Sequence, residues 1–535
     1  MALTSTRREL LTWLFGTTAT GALAGCRRTT EPTFGGEFHE GAFAAAHRIR
    51  DGQLPPDADA EPVEVPVLVL GGGIAGLSAA WRLHRSGFDR FFVLDLESAP
   101  GGTARGDRSN VTSYPWGAHY LPAPPKTNAP LVELCDDLGF VAGYDDAGHP
   151  RYPEHLLVAD PEERVYFEGA WHRGHLPMHA ATTADREQLE RFEAKVAAFV
   201  DHRTDGRRAF TLPVDEGVGF EDLDAMTFAS WLDREGFDAP FVRHLADYAC
   251  RDDYGTVPET TSAWYGLHYF AARTKQGGGD SAPFLSWSNG NARIADGIVA
   301  RIGQSRFRPF TVVVSVAPEG DGRRVRVRTW DLALRRSTTW IAERVIFALP
   351  SFLRRYLIQG YEAPAYHPSY APWLVANVHL TRRPWSPGFE TAWDNTIFDS
   401  RSLGYVVATH QDGASRGPTV WTHYTPLLGD PKTARRSLLE MSWSEATDAV
   451  VRELARTHED FEKSVERIDV RRWGHGMIRP TPGTRTDSAR RAAARSVGPL
   501  HFAHTDLSGV ALFEEAFAHG DRAAREVLAA LGSKR

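Results

Sequence analysis

The order of apolar and polar residues along the chain changes between two regular periods, which predicts a mixed α/β protein. Residues 67–70 form a short, uninterrupted apolar run of the length expected for a buried parallel strand. Residues 185–201 instead carry an apolar side chain at about every third or fourth position, which is the period of an amphipathic helix. Residues 311–316 are mostly β-branched and residues 325–329 alternate, so these two stretches predict a pair of strands.

The same patterns place strands and helices in separate parts of the chain. Further helices are predicted over 42–50, 74–84, 228–232, 239–248 and 445–460. Further strands are predicted over 91–95, 340–350, 375–385, 403–408 and 420–424. Residues 122–285 are predicted to be mostly helical, and strands are predicted both before and after this stretch.

A glycine-rich turn directly follows the first apolar run. Gly71, Gly73 and Gly76 form the pattern G-x-G-x-x-G. The first glycine permits a tight turn, the second lets the backbone approach a pyrophosphate, and the third lets the next helix pack closely on the strand. Asp95 ends the following strand about 20 residues later, where an acidic side chain can accept a hydrogen bond from a ribose hydroxyl. The pattern predicts a dinucleotide site, with an ordinary strand-to-helix turn as the alternative.

Residues 93–105 identify the kind of dinucleotide by resemblance. This stretch, with its glycine pair Gly101-Gly102, resembles the start of the flavin-containing amine oxidase superfamily. That superfamily includes monoamine and polyamine oxidases, protoporphyrinogen oxidases and phytoene desaturases, and the resemblance implies FAD as cofactor. In the family an arginine usually follows the glycine pair. Here Thr103 takes that place and Arg105 lies nearby.

Five later segments resemble the same family. Two of them, residues 114–121 and 470–480, are similar to family segments that approach the flavin ring. Two others, residues 287–301 and 340–350, are similar to family segments in which the chain returns to the cofactor domain. Residues 500–524 resemble the end of the family fold, where the N-terminus of the last helix faces the flavin. There the helix dipole favours negative charge on the reduced ring.

The resemblance and the glycine pattern together imply a set of cofactor-binding residues. The predicted set is Gly71, Gly73, Ile74, Ala75, Gly76, Asp95, Leu96, Gly101, Gly102, Thr103, Gly117, Ala118, His119, Val313, Asp506, Phe513, Glu514 and Ala516.

Catalytic residues are less well marked than cofactor-binding residues. Candidates are His119, Lys275 and Trp473, of which His119 and Trp473 lie in segments expected beside the flavin. His119 has a hydrogen-bonded core residue as its alternative interpretation, and Lys275 that of a surface lysine beside a glycine loop. The reaction inferred from the family needs no catalytic base, and we predict no metal site.

The resemblance implies two interwoven domains. We predict a Rossmann-like FAD-binding domain from residues 63–121, 286–355 and 471–535. A substrate domain, in which a mixed sheet is flanked by helices, is predicted from 122–285 and 356–470. The active site is expected between the two, over the flavin.

The first 62 residues carry targeting signals rather than a domain. Arg7-Arg8 resembles a twin-arginine export signal, an apolar stretch follows, and the sequence ending in Cys26 resembles a bacterial lipobox. We predict a signal peptide over 1–25 and a tether over 26–62, and expect a lipid anchor on Cys26 at the periplasmic side of the inner membrane. Pairing of Cys135 with Cys250 stays open.

Composition narrows the function only slightly. The net charge of −7 gives no reason to expect nucleic acid, and the 42% hydrophobic and 24% charged residues are ordinary for a globular protein. The 15 Trp and 28 Phe suit an aromatic-lined cavity or simply a large core.

Three functional hypotheses follow. The first is oxidation of the CH–NH bond of an amine, possibly a polyamine, which predicts acidic groups near the cavity entrance and aromatic rings beside the flavin. The second is desaturation or dehydrogenation of a CH–CH bond in a lipid-like substrate, which predicts a long apolar channel. The third is a non-enzymatic lipoprotein that retains the fold. For an enzyme, the electron acceptor is oxygen or a periplasmic or membrane carrier.

Overall fold

A largely parallel sheet is assembled from the beginning, middle and end of the chain. The computed structural model describes residues 34–58, 60–273, 283–362, 364–414 and 416–532. The strand order in this first sheet is β11-β2-β1-β14-β13-β12, and β20 pairs with the end of β14. Its strands are β1 (Val63–Leu70), β2 (Phe91–Leu94), β11 (Phe307–Arg308), β12 (Thr311–Glu319), β13 (Arg324–Asp331), β14 (Arg336–Phe347) and β20 (Leu500–Phe502).

Residues 67–70 of β1 are apolar without interruption because both faces of the strand are covered there. Val67 and Val69 belong to a core shared with helices, whereas Leu68 and Leu70 point into a second core on the opposite face. The helices in the first core are α2 (Ile74–Arg85), α3 (Ala129–Asp137), α8 (Ala292–Ile302) and α14 (Phe513–Gly532).

A second sheet of mainly antiparallel strands forms the other layer. Its order is β19-β15-β18-β17-β16-β8-β9. Its strands are β8 (Glu163–Phe167), β9 (Ala170–Arg173), β15 (Tyr370–Leu380), β16 (Asp394–Ile397), β17 (Tyr405–Val407), β18 (Thr419–Pro426) and β19 (Val465–Ile478).

Strand β15, which lies between β19 and β18, is buried on both faces, and its residues alternate between two environments. Leu374 and Ala376 pack in a core with the helices that cover one face, whereas Trp373 and Val375 belong to a separate aromatic cluster on the other face. The covering helices are α10 (Pro431–Glu440), α11 (Trp443–Ala455) and α12 (Phe461–Ser464).

The long helical excursion predicted over 122–285 forms its own core. The predicted amphipathic helix over 185–201 is observed as α4 (Thr183–Asp201), and it begins with a capping box between Thr182 and Asp185. Its neighbours are α5 (Phe228–Arg234), α6 (Pro240–Tyr254) and α7 (Ala263–Ala271).

The remaining elements are short. The hairpins and paired segments are β3 (Gly106–Arg108) with β4 (Ser113–Pro115), β5 (Tyr120–Pro122) with β10 (Phe284–Ser286), and β6 (Gly143–Tyr144) with β7 (Pro150–Arg151). The remaining helices are α1 (Phe43–Arg50), α9 (Arg354–Leu357) and α13 (Ser488–Ala493).

The structure corrects the domain boundary predicted at 470/471. That position falls inside β19, which pairs with β15 along most of its length and therefore belongs to the second sheet. The boundary was placed there because Trp473 resembles a neighbour of the flavin and was therefore assigned to the cofactor domain. A residue can, however, face the cofactor from a strand of the substrate domain.

Part of the stretch predicted as a tether is attached to the second sheet. Gly35 and Phe38 form parallel bridges with Arg467 and Val470 of β19, and α1 follows as predicted over 42–50. We call residues 34–50 the N-terminal strap. Residues 34–41 were predicted only as tether, whereas their backbone hydrogen bonds come from a strand more than 400 residues away.

The predicted signal peptide and Cys26 lie outside the described residues. Cys135 and Cys250 are both buried and both free, so the two do not form a disulfide. Within the described part of the chain, every helix is too short or too polar to cross a membrane.

Candidate active site

The glycine turn joins β1 to α2, and its geometry excludes larger residues. Gly71 adopts φ +106°, a backbone conformation that side chains disfavour. A Cβ atom on Gly76 would lie 1.9 Å from the carbonyl oxygen of Gly71, so this glycine lets α2 start directly against the turn.

A second pair of glycines lies opposite this turn. The N–H of Gly101 donates to the carbonyl of Gly72 at 2.8 Å, and Gly73 and Gly101 form an isolated bridge. A Cβ on Gly73 would meet only the Cα of Gly102, at 4.0 Å. No side chain in the described ranges caps the N-terminus of α2. The two glycine segments therefore leave an open cradle at a helix N-terminus, which suits a pyrophosphate.

Asp95 stands at the carboxyl end of β2, beside this cradle. Its carboxylate accepts hydrogen bonds from the N–H groups of Gly72 and Glu97. Burial raises the pKa of Asp95 to about 6 despite these bonds. Arg105 does not replace the family's arginine at the glycine pair, because its guanidinium is 2.6 Å from the carboxylate of Glu97.

A cavity of about 200 Å³ lies between the cradle side of the first sheet and the inner face of the second. We call it the acidic cavity. Seven of the residues predicted to bind the cofactor or to take part in catalysis line this cavity. They are Thr103, Gly117, Ala118, His119, Trp473, Phe513 and Glu514.

Aromatic side chains form one wall of the acidic cavity. The hydroxyl of Tyr424 on β18 donates to the carbonyl of Gly117 at 2.8 Å, and the indole N–H of Trp473 on β19 donates to the carbonyl of Trp116 at 2.6 Å. These strands flank β15, whose Trp373 also lines the cavity. The two hydrogen bonds fix both rings against the segment predicted to pass the flavin.

The remaining lining is rich in carboxylates. They are Glu163 on β8, Asp252 and Asp253 on α6, Asp394 on β16 and Glu514 on α14. Among the described lining residues, Arg273 is the sole guanidinium, and it lies 3.3 Å from Asp253. The other carboxylate oxygen of Asp253, Oδ2, is buried and has no hydrogen-bond partner in the described structure. A ligand with donors to offer would satisfy it.

Two of these carboxylates are held side by side by the sheet itself. Asp394 pairs in register with Glu163 on the adjacent parallel strand, an arrangement of like charges that is unfavourable in itself. His175 lies 2.8 Å from Glu163. Although burial opposes it, the charge of Glu163 raises the pKa of His175 to about 9, so these two groups form an ion pair and Asp394 is left without a cation of its own.

Burial makes these acids easy to protonate. It raises the pKa of Asp253 and of Asp394 to about 7, and it also raises the pKa of Asp252 and Glu514. The hydroxyl of Tyr269 donates to Asp252 at 3.1 Å, and Tyr248 lies 3.5 Å from Asp394. A cationic ligand would stabilise the ionised forms.

The catalytic candidates have different positions. His119 lies in the acidic cavity among aromatic rings, 5.1 Å from that of Tyr424 between ring centroids, and burial lowers its pKa to about 4. It is therefore a neutral imidazole near pH 7. Trp473 lies in the wall. Lys275 lies outside the described residues.

Other predicted cofactor residues lie near the cradle. Ile74 and Ala75 form the first turn of α2, and Ala516 of α14 packs in the same core. Leu96 and Val313 line a second cavity of about 740 Å³, at the carboxyl ends of β2 and β14. We call it the second cavity.

The carboxylate of Asp506 is engaged in hydrogen bonds within the protein. It was predicted to face the cofactor, but it lines neither of these two cavities. Its buried carboxylate accepts hydrogen bonds from the backbone and hydroxyl of Ser351 and from the hydroxyl of Tyr370, at 2.6 to 2.9 Å. Although burial opposes it, the neighbouring His504 lowers the pKa of Asp506. The residue therefore ties the end of β20 to the chain that follows β14.

The comparison with family models gives the class of protein. The family described as flavin containing amine oxidoreductase matches residues 74–528. The chain belongs to this family.

Related proteins support the same class over almost the whole chain. A probable flavin-containing monoamine oxidase A from Dictyostelium discoideum is 22% identical over 506 residues, which cover 86% of this chain and 97% of the relative. Among solved structures, a putrescine oxidase bound to putrescine has a TM-score of 0.65 at 16% identity, covering 88% of this chain and all of the other.

The same fold also serves a different substrate. A fatty acid isomerase from P. acnes, which forms conjugated linoleic acid (CLA), has a TM-score of 0.60 at 12% identity and covers 86% of this chain and 98% of its own. At such identities the likeness shows the fold alone.

The protein is thus an FAD-dependent oxidoreductase, and its residues fit the cofactor. The open cradle between Gly73 and Gly102 suits the pyrophosphate, and Asp95 stands where the ribose is expected. Thr103, Gly117 and Ala118 border the acidic cavity on the side of the cradle. The N-terminus of α14 reaches the same cavity through Phe513 and Glu514.

Proposed function

We propose that this enzyme oxidises the CH–NH bond of an amine that carries at least one further positive charge, as diamines and polyamines do. One observation carries the proposal: the acidic cavity holds more carboxylates than described cations, and one buried carboxylate oxygen of Asp253 has no hydrogen-bond partner among the described residues. Buried charges are normally paired, so an excess of buried acids indicates a cationic ligand.

The two nitrogens of such a substrate must differ in charge when it reacts. The nitrogen next to the reacting carbon must be neutral, because a hydride leaves carbon readily only when a nitrogen lone pair can stabilise the positive charge. FAD supplies the hydride acceptor. The rings of Tyr424 and Trp473 and the neutral imidazole of His119 offer this nitrogen an uncharged surface. The distant ammonium group would bind Asp253, Asp252 or Asp394 and orient the substrate.

The lining argues against a lipid-like substrate. That hypothesis required a long apolar channel, whereas the acidic cavity carries Asp252, Asp253, Asp394 and Glu514 and has a volume of about 200 Å³. An amino acid is also disfavoured. The described cations of the lining are Arg273 and His175, and each already lies beside a carboxylate, Asp253 and Glu163 respectively.

An anaerobic reduction experiment tests the proposal. The purified full chain would be mixed with a diamine, a monoamine of equal chain length, the corresponding amino acid and an unsaturated fatty acid, and the visible flavin spectrum followed. We expect the diamine, at equal sub-saturating concentration, to bleach the flavin at least 10-fold faster than the monoamine. A flavin that stays oxidised with every amine would contradict the proposal.

A matched pair of variants then locates the second charge. Asp253→Asn should lose most of the preference for the diamine, mainly through a higher KM, because the distant ammonium loses its partner. Asp247→Asn is the control, since it makes the same change six residues earlier in α6 at a residue outside the cavity lining. Equal effects of the two variants would show that the carboxylate of Asp253 does not bind substrate.

A further inference from the structure

The second cavity lies where the adenosine half of a bound dinucleotide belongs. In a Rossmann-like sheet the pyrophosphate sits at the glycine turn, and the ribose binds the acid at the end of the second strand. Here that acid is Asp95, and the residues on either side of it, Leu94 and Leu96, both line the second cavity. Val312 and Val313 of β12 extend the same wall. An adenine extending beyond the ribose would enter this space.

The opposite wall of the second cavity comes from the N-terminal strap. Phe43, Ala46, His47, Ile49 and Arg50 of α1 line it. The strap precedes residue 74, where the match to the family model begins.

The N-terminal strap makes contacts at both ends of the expected cofactor site. The N–H of Ala42 donates to the carboxylate of Glu97 at 3.1 Å, two residues beyond Asp95. The ring of His39 lies 5.1 Å from that of Trp116, the residue before Gly117. Arg471, on β19, donates to the carbonyl of His39 at 3.1 Å. The strap thus contacts both the ribose side and the flavin side.

We propose that the N-terminal strap is part of the FAD site, where α1 covers the adenosine half of the cofactor and slows its release. Binding and covering are then reciprocal. FAD stabilises the docked strap, and the docked strap raises the affinity for FAD by the same free energy. The role is separate from the choice of substrate, so its test does not depend on which amine is oxidised.

Two alanines on opposite sides of α1 provide a matched test of FAD retention. Ala46 lines the second cavity, whereas Ala44 is exposed and does not. We expect Ala46→Asp to speed FAD release at least 10-fold, measured as the rise of free flavin fluorescence after dilution of the full chain. Ala44→Asp should stay within 2-fold of the wild type. Circular dichroism and thermal melting would confirm that both variants are folded.

Limited proteolysis of the wild type supplies a second measurement. Arg48 and Arg50 are trypsin sites within α1, and a docked helix is a poor protease substrate. Removal of FAD should accelerate cleavage at these sites at least 10-fold, and added FAD should restore protection. Equal cleavage with and without FAD, together with equal release rates from the two aspartate variants, would overturn the proposal.

Discussion

Gly73 and Gly76 of the glycine turn are needed for different reasons. Gly76 has no space for a side chain, since a Cβ would lie 1.9 Å from a backbone oxygen. Gly73 has that space within the protein, because the nearest atom, in Gly102, is 4.0 Å from its Cβ position. The sequence pattern treats these two glycines alike. The structure assigns one to the fold and the other to the ligand.

This difference gives a prediction for two alanine variants. Gly73→Ala should fold normally but bind FAD at least 10-fold more weakly, or about 1.4 kcal/mol, because the methyl group enters the cradle. Gly76→Ala should lower the melting temperature even of the FAD-free protein. Isothermal titration with FAD and thermal melting of both apoproteins separate the two effects. A normal FAD affinity for Gly73→Ala would show that the pyrophosphate does not approach this turn.

The buried acids predict that the affinity for cations depends on pH. Because the pKa values of Asp253 and Asp394 are raised to about 7, both groups are largely neutral at pH 6 and ionised at pH 8. A bis-quaternary ammonium inhibitor keeps its charge throughout this range. Its Ki should therefore fall several-fold as the pH rises from 6 to 8.

Substitution of one acid should flatten this profile. Asp394→Asn removes one titrating group and should weaken the pH dependence of Ki, whereas Asp399→Asn is the control, because Asp399 is exposed and paired with Arg456. A Ki that does not change between pH 6 and 8 in the wild type would show that these carboxylates do not bind the inhibitor.

Features formed by neighbouring residues in the chain were easier to predict than features formed by residues far apart in sequence. Gly71, Gly73 and Gly76 were recognisable because each meets a requirement set by its neighbours in the chain. Among the carboxylates of the acidic cavity, Glu514 was predicted only as a cofactor neighbour. Glu163 and Asp394 were not singled out, because they meet only through the parallel pairing of β8 with β16. The adjacent pair Asp252-Asp253 was visible, but a helical pattern alone does not say which face lines a cavity.

At the scale of elements, α2 and α14 form a unit on which both ends of the cofactor site depend. Their close approach is made at Gly520, where a Cβ would lie 2.1 Å from the carbonyl oxygen of Ala75. The first turns of α2 and α14 face the cradle and the acidic cavity respectively. A change in the distance between the helices would therefore disturb the pyrophosphate site and the flavin site together.

Two glycines in α14 allow a controlled test of this packing. Gly520→Ala should destabilise the protein by about 1–3 kcal/mol through overpacking against a backbone that cannot yield, and it should also weaken FAD binding. Gly532→Ala, at the exposed end of the same helix with nothing within 4 Å, should change neither. Thermal melting and FAD titration measure both effects. Equal stability of the two variants would mean that the helices can separate at little cost.

Element-level prediction failed where pairing is long-range. The predicted boundary at 470/471 divided β19 between the two domains, because residues 470–480 resemble a segment that approaches the flavin ring. The N-terminal strap gave no strand signal of its own, because its bonds to β19 use only the backbone of residues such as Gly35.

At the scale of the whole molecule, we propose that the enzyme is exported in folded form and held at the periplasmic side of the membrane by a lipid on Cys26. Arg7 and Arg8 would direct it to the twin-arginine route, which carries folded proteins with their cofactor. Cys26→Ser should move the enzyme from the membrane fraction to the soluble periplasmic fraction. Replacement of both arginines by lysine should keep it in the cytoplasm.

Cell fractionation followed by immunoblotting measures these outcomes in a bacterial host. The conservative lysine replacements keep the positive charge, so a change of location would report recognition of the signal rather than a loss of charge. If all three proteins were found in the same fraction, neither the export signal nor the anchor would be supported.

The carboxylates of the acidic cavity come from separate passages of the chain. Glu163, Asp252 and Asp253 belong to the first excursion, and Asp394 belongs to the second. A chimera that imports only one excursion from a relative would therefore combine half of one recognition surface with half of another. Conversely, evolution can alter substrate preference through residues 122–285 alone, because the glycine cradle and the aromatic rings of Trp373, Tyr424 and Trp473 lie outside that stretch.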